Sequence, residues 1–188
     1  MLKSKIQELA EIAAKDQVKT YEYLDKLFSF IAELRQKLAD NFECSLADLS
    51  FANPEGGTSS AKGRAEDSTI VRDDGFFEFW LVINLPVESF NMNTCSHSFI
   101  EKGLVPPTAV GLLMAVKPDK NLFIVEASRS QEKTFEIDPN NESSWIKLFE
   151  YCFESTKAIF EGGLERRISE LGTLKDNAPK RNFGYNIE

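Results

Sequence analysis

The sequence has little of the chemistry on which most enzymes and metalloproteins depend. Its 188 residues contain one histidine, His97, and three cysteines, Cys44, Cys95 and Cys152. The cysteines are far apart and form no CxxC pair, so we expect reduced thiols rather than a disulfide framework. Cys95 and His97 supply two ligands, whereas a closed zinc site needs four. The sequence therefore predicts no metal, and it favours a cytoplasmic protein.

Long apolar runs and an excess of basic residues are also missing. Nowhere does the chain approach the ~20 apolar residues of a membrane-spanning helix, and charges interrupt its start too early for a signal peptide. Thirty acidic residues outnumber 22 basic ones, which gives a net charge of -8. Because phosphate backbones are bound by clustered cations, we expect no nucleic-acid partner. The polar face of the first helix mixes acidic and basic residues, so we expect no membrane partner either. The glycine-rich residues 56–63 lack the Gly-Lys-Ser/Thr ending of a nucleotide loop, so we expect no cofactor.

The first forty residues, by contrast, form one continuous helical pattern without glycine or proline. Apolar residues recur mainly at spacings of three and four, at Leu2, Ile6, Leu9, Ala13, Leu24, Leu27, Phe28, Ile31, Leu34 and Leu38. Such a helix would extend roughly 58 Å at ~1.5 Å per residue, whereas a domain of this size is roughly 40 Å across. The helix must therefore protrude from the body or break.

This helical pattern divides at Asp16, Gln17 and Thr20, which place polar side chains on the apolar stripe. After them the stripe is broad, as in a helix that packs on a sheet. Before them it is narrow, as in a seam between two helices. We predict that the apolar residues before Asp16 bind a protein partner or a second copy of the chain. These residues are Leu2, Ile6, Leu9 and Ala13. The alternative is a break near Asp16–Thr20 and two shorter helices in one compact fold.

The middle of the chain alternates apolar and polar residues between short turns. We predict strands at residues 68–72, 76–85, 110–117, 122–127 and 133–138, with a further strand or turn at 45–51. Tight turns such as Asp73-Asp74-Gly75 join antiparallel neighbours. Asp138 and Pro139 provide a cap and a first-turn proline for a final helix. The prediction is an α+β fold: a long N-terminal helix over 1–40, a body over 41–172 with a mainly antiparallel sheet of five or six strands and a C-terminal helix packed on it, and a tail over 173–188.

Two carboxylates inside predicted strands are the other candidates for chemistry. A carboxylate buried in an apolar sheet is costly unless it is paired, so Glu78 and Glu126 must face solvent, meet each other, or pair with Arg72 or Arg129. Two facing carboxylates could perform acid–base chemistry, and His97 could serve a nucleophile. A hydrolytic enzyme that uses His97 or these two glutamates is therefore the alternative function.

The favoured function is a non-enzymatic, bacterial protein-binding module of the adaptor, chaperone-like or toxin-neutralising type. It would act as a homodimer or dock a protein partner through its helices. Trp80 lies on the less apolar face of the strongest strand and is a further partner-binding candidate, unless the last helix covers it. A third class, an acidic protein that imitates nucleic-acid charge, would need the acids of residues 41–165 to gather on one face.

Overall fold

The computed structural model describes residues 4–55, 64–85, 109–127 and 133–161. These residues form a long N-terminal helix, an antiparallel sheet of six strands and a second helix packed on the sheet, which confirms the predicted α+β class. The predicted tail at 173–188 lies outside the described residues.

Helix α1, Lys5–Asn41, runs unbroken for 37 residues, about 55 Å at ~1.5 Å per residue. Ser4 caps it: the Ser4 hydroxyl accepts a bond from the Gln7 amide, and the Gln7 side chain accepts one from the Ser4 amide. The break considered near Asp16–Thr20 is wrong. The Thr20 hydroxyl donates to the Asp16 carbonyl at 3.0 Å, so this polar side chain is satisfied by the helix itself and the turns continue through it.

The sheet has strand order β1-β3-β4-β5-β6, and the short β2 pairs with β3 beside β1; every pair is antiparallel. A 3₁₀ turn at Leu46–Asp48 leads into β1, and Lys120 and Asn121 form the turn from β4 to β5, with Lys120 at φ 54°. The strands are β1 Leu49–Ala52, β2 Ile70–Val71, β3 Phe77–Asn84, β4 Ala109–Asp119, β5 Leu122–Ala127 and β6 Thr134–Ile137.

Helix α2, Glu142–Phe160, begins later than predicted. Its N-cap is Asn141, whose side chain accepts a bond from the Ser143 amide at 3.2 Å. Asp138 instead shapes the turn before the helix, because its carboxylate accepts a bond from the Asn140 amide. Ile137 therefore remains in strand β6, where it pairs with Phe123.

The core lies between the two helices and one face of the sheet. Aromatic rings join its three parts: Phe30 of α1 stacks on Phe123 of β5 with ring centres 3.8 Å apart, and Trp145 of α2 lies 5.3 Å from Phe30. The fully buried members of this core are Leu27, Ile31, Leu34, Leu38, Ala39, Leu49, Phe79, Leu81, Met114, Val116, Val125, Ala127, Ile137, Trp145, Leu148 and Cys152. All the core residues that α1 contributes come from its second half.

Candidate functional site

The first half of α1 contributes no buried residue to this core; Tyr23 at its end lies at the core's margin, with its ring centre 6.2 Å from that of Phe77. Residues 4–23 are all exposed, and the first buried residue of the helix is Leu27. Large apolar side chains stand in solvent along this half: Ile6 is 77% exposed, Leu9 64%, Ile12 59%, Val18 55% and Tyr21 63%. We call residues 5–23 the free half of α1. It comprises about five turns of helix.

The apolar stripe of the free half continues the stripe by which α1 contacts the core. Ile6, Leu9 and Ala13 keep the spacing of three and four that Leu27, Ile31, Leu34 and Leu38 follow later in the same unbroken helix. One face of α1 is therefore buried under the body in its second half and bare in its first. Ile6, Leu9 and Ala13 are three of the four predicted partner-binding residues of the helix; the fourth, Leu2, lies outside the described residues.

The opposite face of the sheet carries the strand carboxylates. Side chains alternate along β3, so Phe77, Phe79 and Leu81 face the helices, while Glu78 and Trp80 face away. Trp80 is half-buried. Its neighbours Phe79 and Leu81 belong to the core that contains Trp145 of α2, so Trp80 lies on the face of the sheet away from α2. Trp80 stays a prediction as a partner-binding residue.

Glu78 and Glu126 lie in one row across this face, separated only by Ala115 of β4. Arg72, which follows β2, reaches both: its Nη1 is 2.8 Å from the Glu126 carboxylate and 3.9 Å from that of Glu78, and its Nη2 is 2.5 Å from Asp74. The hydrogen bond to Glu126 raises the pKa of Arg72 above its usual range. The sequence left Glu78 and Glu126 exposed, facing each other, or paired with Arg72 or Arg129. The structure pairs them with Arg72, and Arg129 lies outside the described residues.

This arrangement gives the two glutamates a structural use. Glu78 is only 3% exposed, and a carboxylate so deeply buried is tolerated where a cation and hydrogen bonds compensate its lost hydration. Because Arg72 lies within reach of both carboxylates, neither is in the position of a lone general base facing a substrate. The cluster ties the β2–β3 hairpin to β5.

Burial lowers the reactivity of the two thiols that the structure describes. Burial raises the pKa of Cys152 to about 12, so it stays protonated at neutral pH, and burial also raises the pKa of the half-buried Cys44. His97 and Cys95 lie outside the described residues. Within the described ranges, no three His, Cys, Asp or Glu side chains come together as metal ligands. Neither described helix combines the length and apolar character needed to cross a bilayer.

Helix α2 carries a second exposed apolar surface, which is not among the sequence predictions. Ile146 and Phe153 are each 52% exposed, Phe149 lies between them, and Phe153 meets Phe42 edge to face with ring centres 5.9 Å apart. The sequence pattern indicates this surface: these three positions are spaced by three and four residues, next to Trp145, which faces the sheet. The apolar arc of α2 is therefore wider than the face that a helix needs to pack on a sheet.

Comparison of the chain with protein families, with curated proteins and with solved structures gives no match.

Proposed function

We propose that this protein is a non-enzymatic, cytoplasmic binding module that associates with another protein chain through the free half of α1. One observation supports the proposal above all others. About five turns of helix carry Ile6, Leu9 and Ile12 in solvent, on a surface continuous with the core-facing side of the same helix.

An unpartnered helix of this kind is unusual in a protein that acts alone. Most helices in proteins owe their stability to packing of an apolar face, and contiguous exposed apolar surface marks interaction sites. The polar side of the free half mixes Lys5, Glu8, Glu11, Lys15 and Lys19. Such a mixture suits a solvated face opposite a protein interface better than a helix lying on an anionic membrane.

An adaptor, a chaperone-like protein and a toxin-neutralising protein would all use this surface in the same way, by laying the stripe against an apolar helix or groove. The hydrolytic alternative gains no support from Glu78 and Glu126, because both lie beside Arg72. The free thiols Cys44 and Cys152 are consistent with a reducing compartment.

A photo-cross-linking residue placed in the chain inside living cells tests the proposal. At Leu9 it lies on the stripe; at Val18 it lies on the other side of the same free half and is about equally exposed, 55% against 64%. We expect a covalent protein adduct from position 9 and little from position 18. The adduct is resolved by gel and mass spectrometry.

Absence of an adduct at position 9, or equal adducts at both positions, would overturn the proposal. The mass of the adduct also separates two cases, since a second copy of the chain doubles the mass and a different protein does not. The general proposal holds in either case.

A further inference from the structure

The geometry of α1 points to the occupant of its free half: we propose that a second copy of this chain binds there, with the two free halves antiparallel. This inference rests on the proposed function and names its partner. It follows from where the body lies relative to the stripe and from the charge at Asp16.

The position of the body excludes a parallel pair. From Leu27 onward the body lies on the same side of α1 as the stripe of Ile6, Leu9 and Ala13, because the stripe keeps its phase along an unbroken helix. A parallel helix seated on that stripe would continue past Thr20 along the same side of α1. It would therefore run into the body that α1 itself covers.

An antiparallel pair avoids this collision. The second helix then points its N-terminus toward the body and ends there, while its own body lies beyond the N-terminus of the first helix. In the register that matches the apolar residues, Leu9 faces Ala13 of the second copy, and Ile6 faces Asp16 of the second copy. Residues 4–18 of the two helices then lie side by side over roughly 22 Å.

The polar residue within the stripe supports the same orientation. In a parallel, in-register pair, Asp16 would face Asp16 of the second copy across an apolar seam, and two desolvated like charges oppose association. In the antiparallel register, Asp16 lies beside Ile6 and next to Lys5 of the second copy. Opposite charges then meet at the edge of the seam, which is how coiled coils specify orientation.

The size of the seam sets the expected strength. Two helices that meet over about four turns bury less area than the ~1,200–2,000 Å² of stable interfaces, so the pair should dissociate on dilution. Light scattering on the full chain should show the mass rising from one copy toward two between about 1 µM and 1 mM. Ile6→Glu with Leu9→Glu should keep the mass at one copy throughout. Ala14→Glu with Val18→Glu adds the same charge to the other side of the free half and should leave association unchanged.

Cysteine cross-linking determines the orientation. In a chain whose Cys44 and Cys95 are replaced by serine, Ile6→Cys and Asp16→Cys are made separately. The antiparallel pair predicts a disulfide only when the two variants are mixed, because position 6 of one copy lies ~15 Å along the axis from position 6 of the other. A disulfide of Ile6→Cys with itself would show a parallel pair and overturn the inference.

A single-copy mass at every concentration would overturn the inference as well. If the in-cell adduct at position 9 then still forms with a different protein, the proposed function stands and only the identity of its partner is wrong. If no adduct forms either, both fail.

Discussion

Leu9 and Leu34 form a matched pair of positions that separates the two environments of α1. Both are leucines on the same stripe of one helix, but Leu34 is 1% exposed and Leu9 is 64% exposed. Replacing Leu34 by alanine removes a fully buried side chain and leaves a cavity in the core. The transfer term and the cavity term together give an expected loss of about 3–4 kcal/mol. For a chain of this size, that lowers Tm by about 10 °C.

Leu9→Ala should behave differently. Most of the Leu9 side chain is already in water, and alanine is at least as good a helix former, so the free energy of unfolding of the single copy should change by less than ~0.5 kcal/mol. The loss should emerge only at high protein concentration, where association through the free half adds its own stabilisation.

Denaturant unfolding of the wild type and both variants, at two protein concentrations about 100-fold apart, measures these differences. The Leu34→Ala loss should be the same at both concentrations, and the Leu9→Ala loss should be confined to the higher one. If Leu9→Ala costs as much as Leu34→Ala at the lower concentration, then Leu9 is part of the core of the single copy, and the reasoning about the free half is refuted.

Two further predictions concern the body. Arg72→Met removes the cation shared by Glu78 and Glu126 and should lower the free energy of unfolding by about 2–3 kcal/mol in urea at neutral pH. The control, Lys147→Met at an exposed site, should change it very little. A loss for Arg72→Met as small as that of the control would show that the cluster is dispensable. Cys152 should resist thiol reagents until the chain unfolds, and rapid labelling of the native chain at Cys152 would contradict this reasoning. Because burial raises the pKa of Cys152 to about 12 in the folded chain, the unfolded thiol loses its proton first. This group should therefore lower the free energy of unfolding as the pH rises above about 9.

The elements with strong periodic patterns are those that the sequence predicts well. The first helix has a stripe over its whole length and no residue that breaks a helix, and β3 has alternating apolar residues beside an Asp-Gly turn, so local physics alone determines their type. The polar residues at Asp16–Thr20 suggested a possible break. The structure shows why they are tolerated: on an exposed helix they lie in water, and Thr20 bonds to its own helix.

Features that depend on pairing between distant residues were beyond local patterns. Asp138-Pro139 and Asn141-Glu142 are both acceptable helix starts, and the choice between them follows from Ile137 pairing with Phe123 in the sheet. Likewise, Arg72 and Arg129 were equivalent candidates for pairing with the strand carboxylates. Strand register sets Glu78 and Glu126 on either side of Ala115 and so brings both within reach of Arg72. A short stretch of sequence carries no information about this register.

The continuity of α1 has a consequence for the speed of recognition. Starting a helix is the slow and unfavourable step in its formation, whereas adding turns to an existing helix is easy. The stacked rings of Phe30, Phe123 and Trp145 fix the second half of α1 in helical form, so the first half forms by extension of an existing helix. A chain that binds this half would meet a preformed helix and not a disordered segment, so little conformational entropy would be lost on contact.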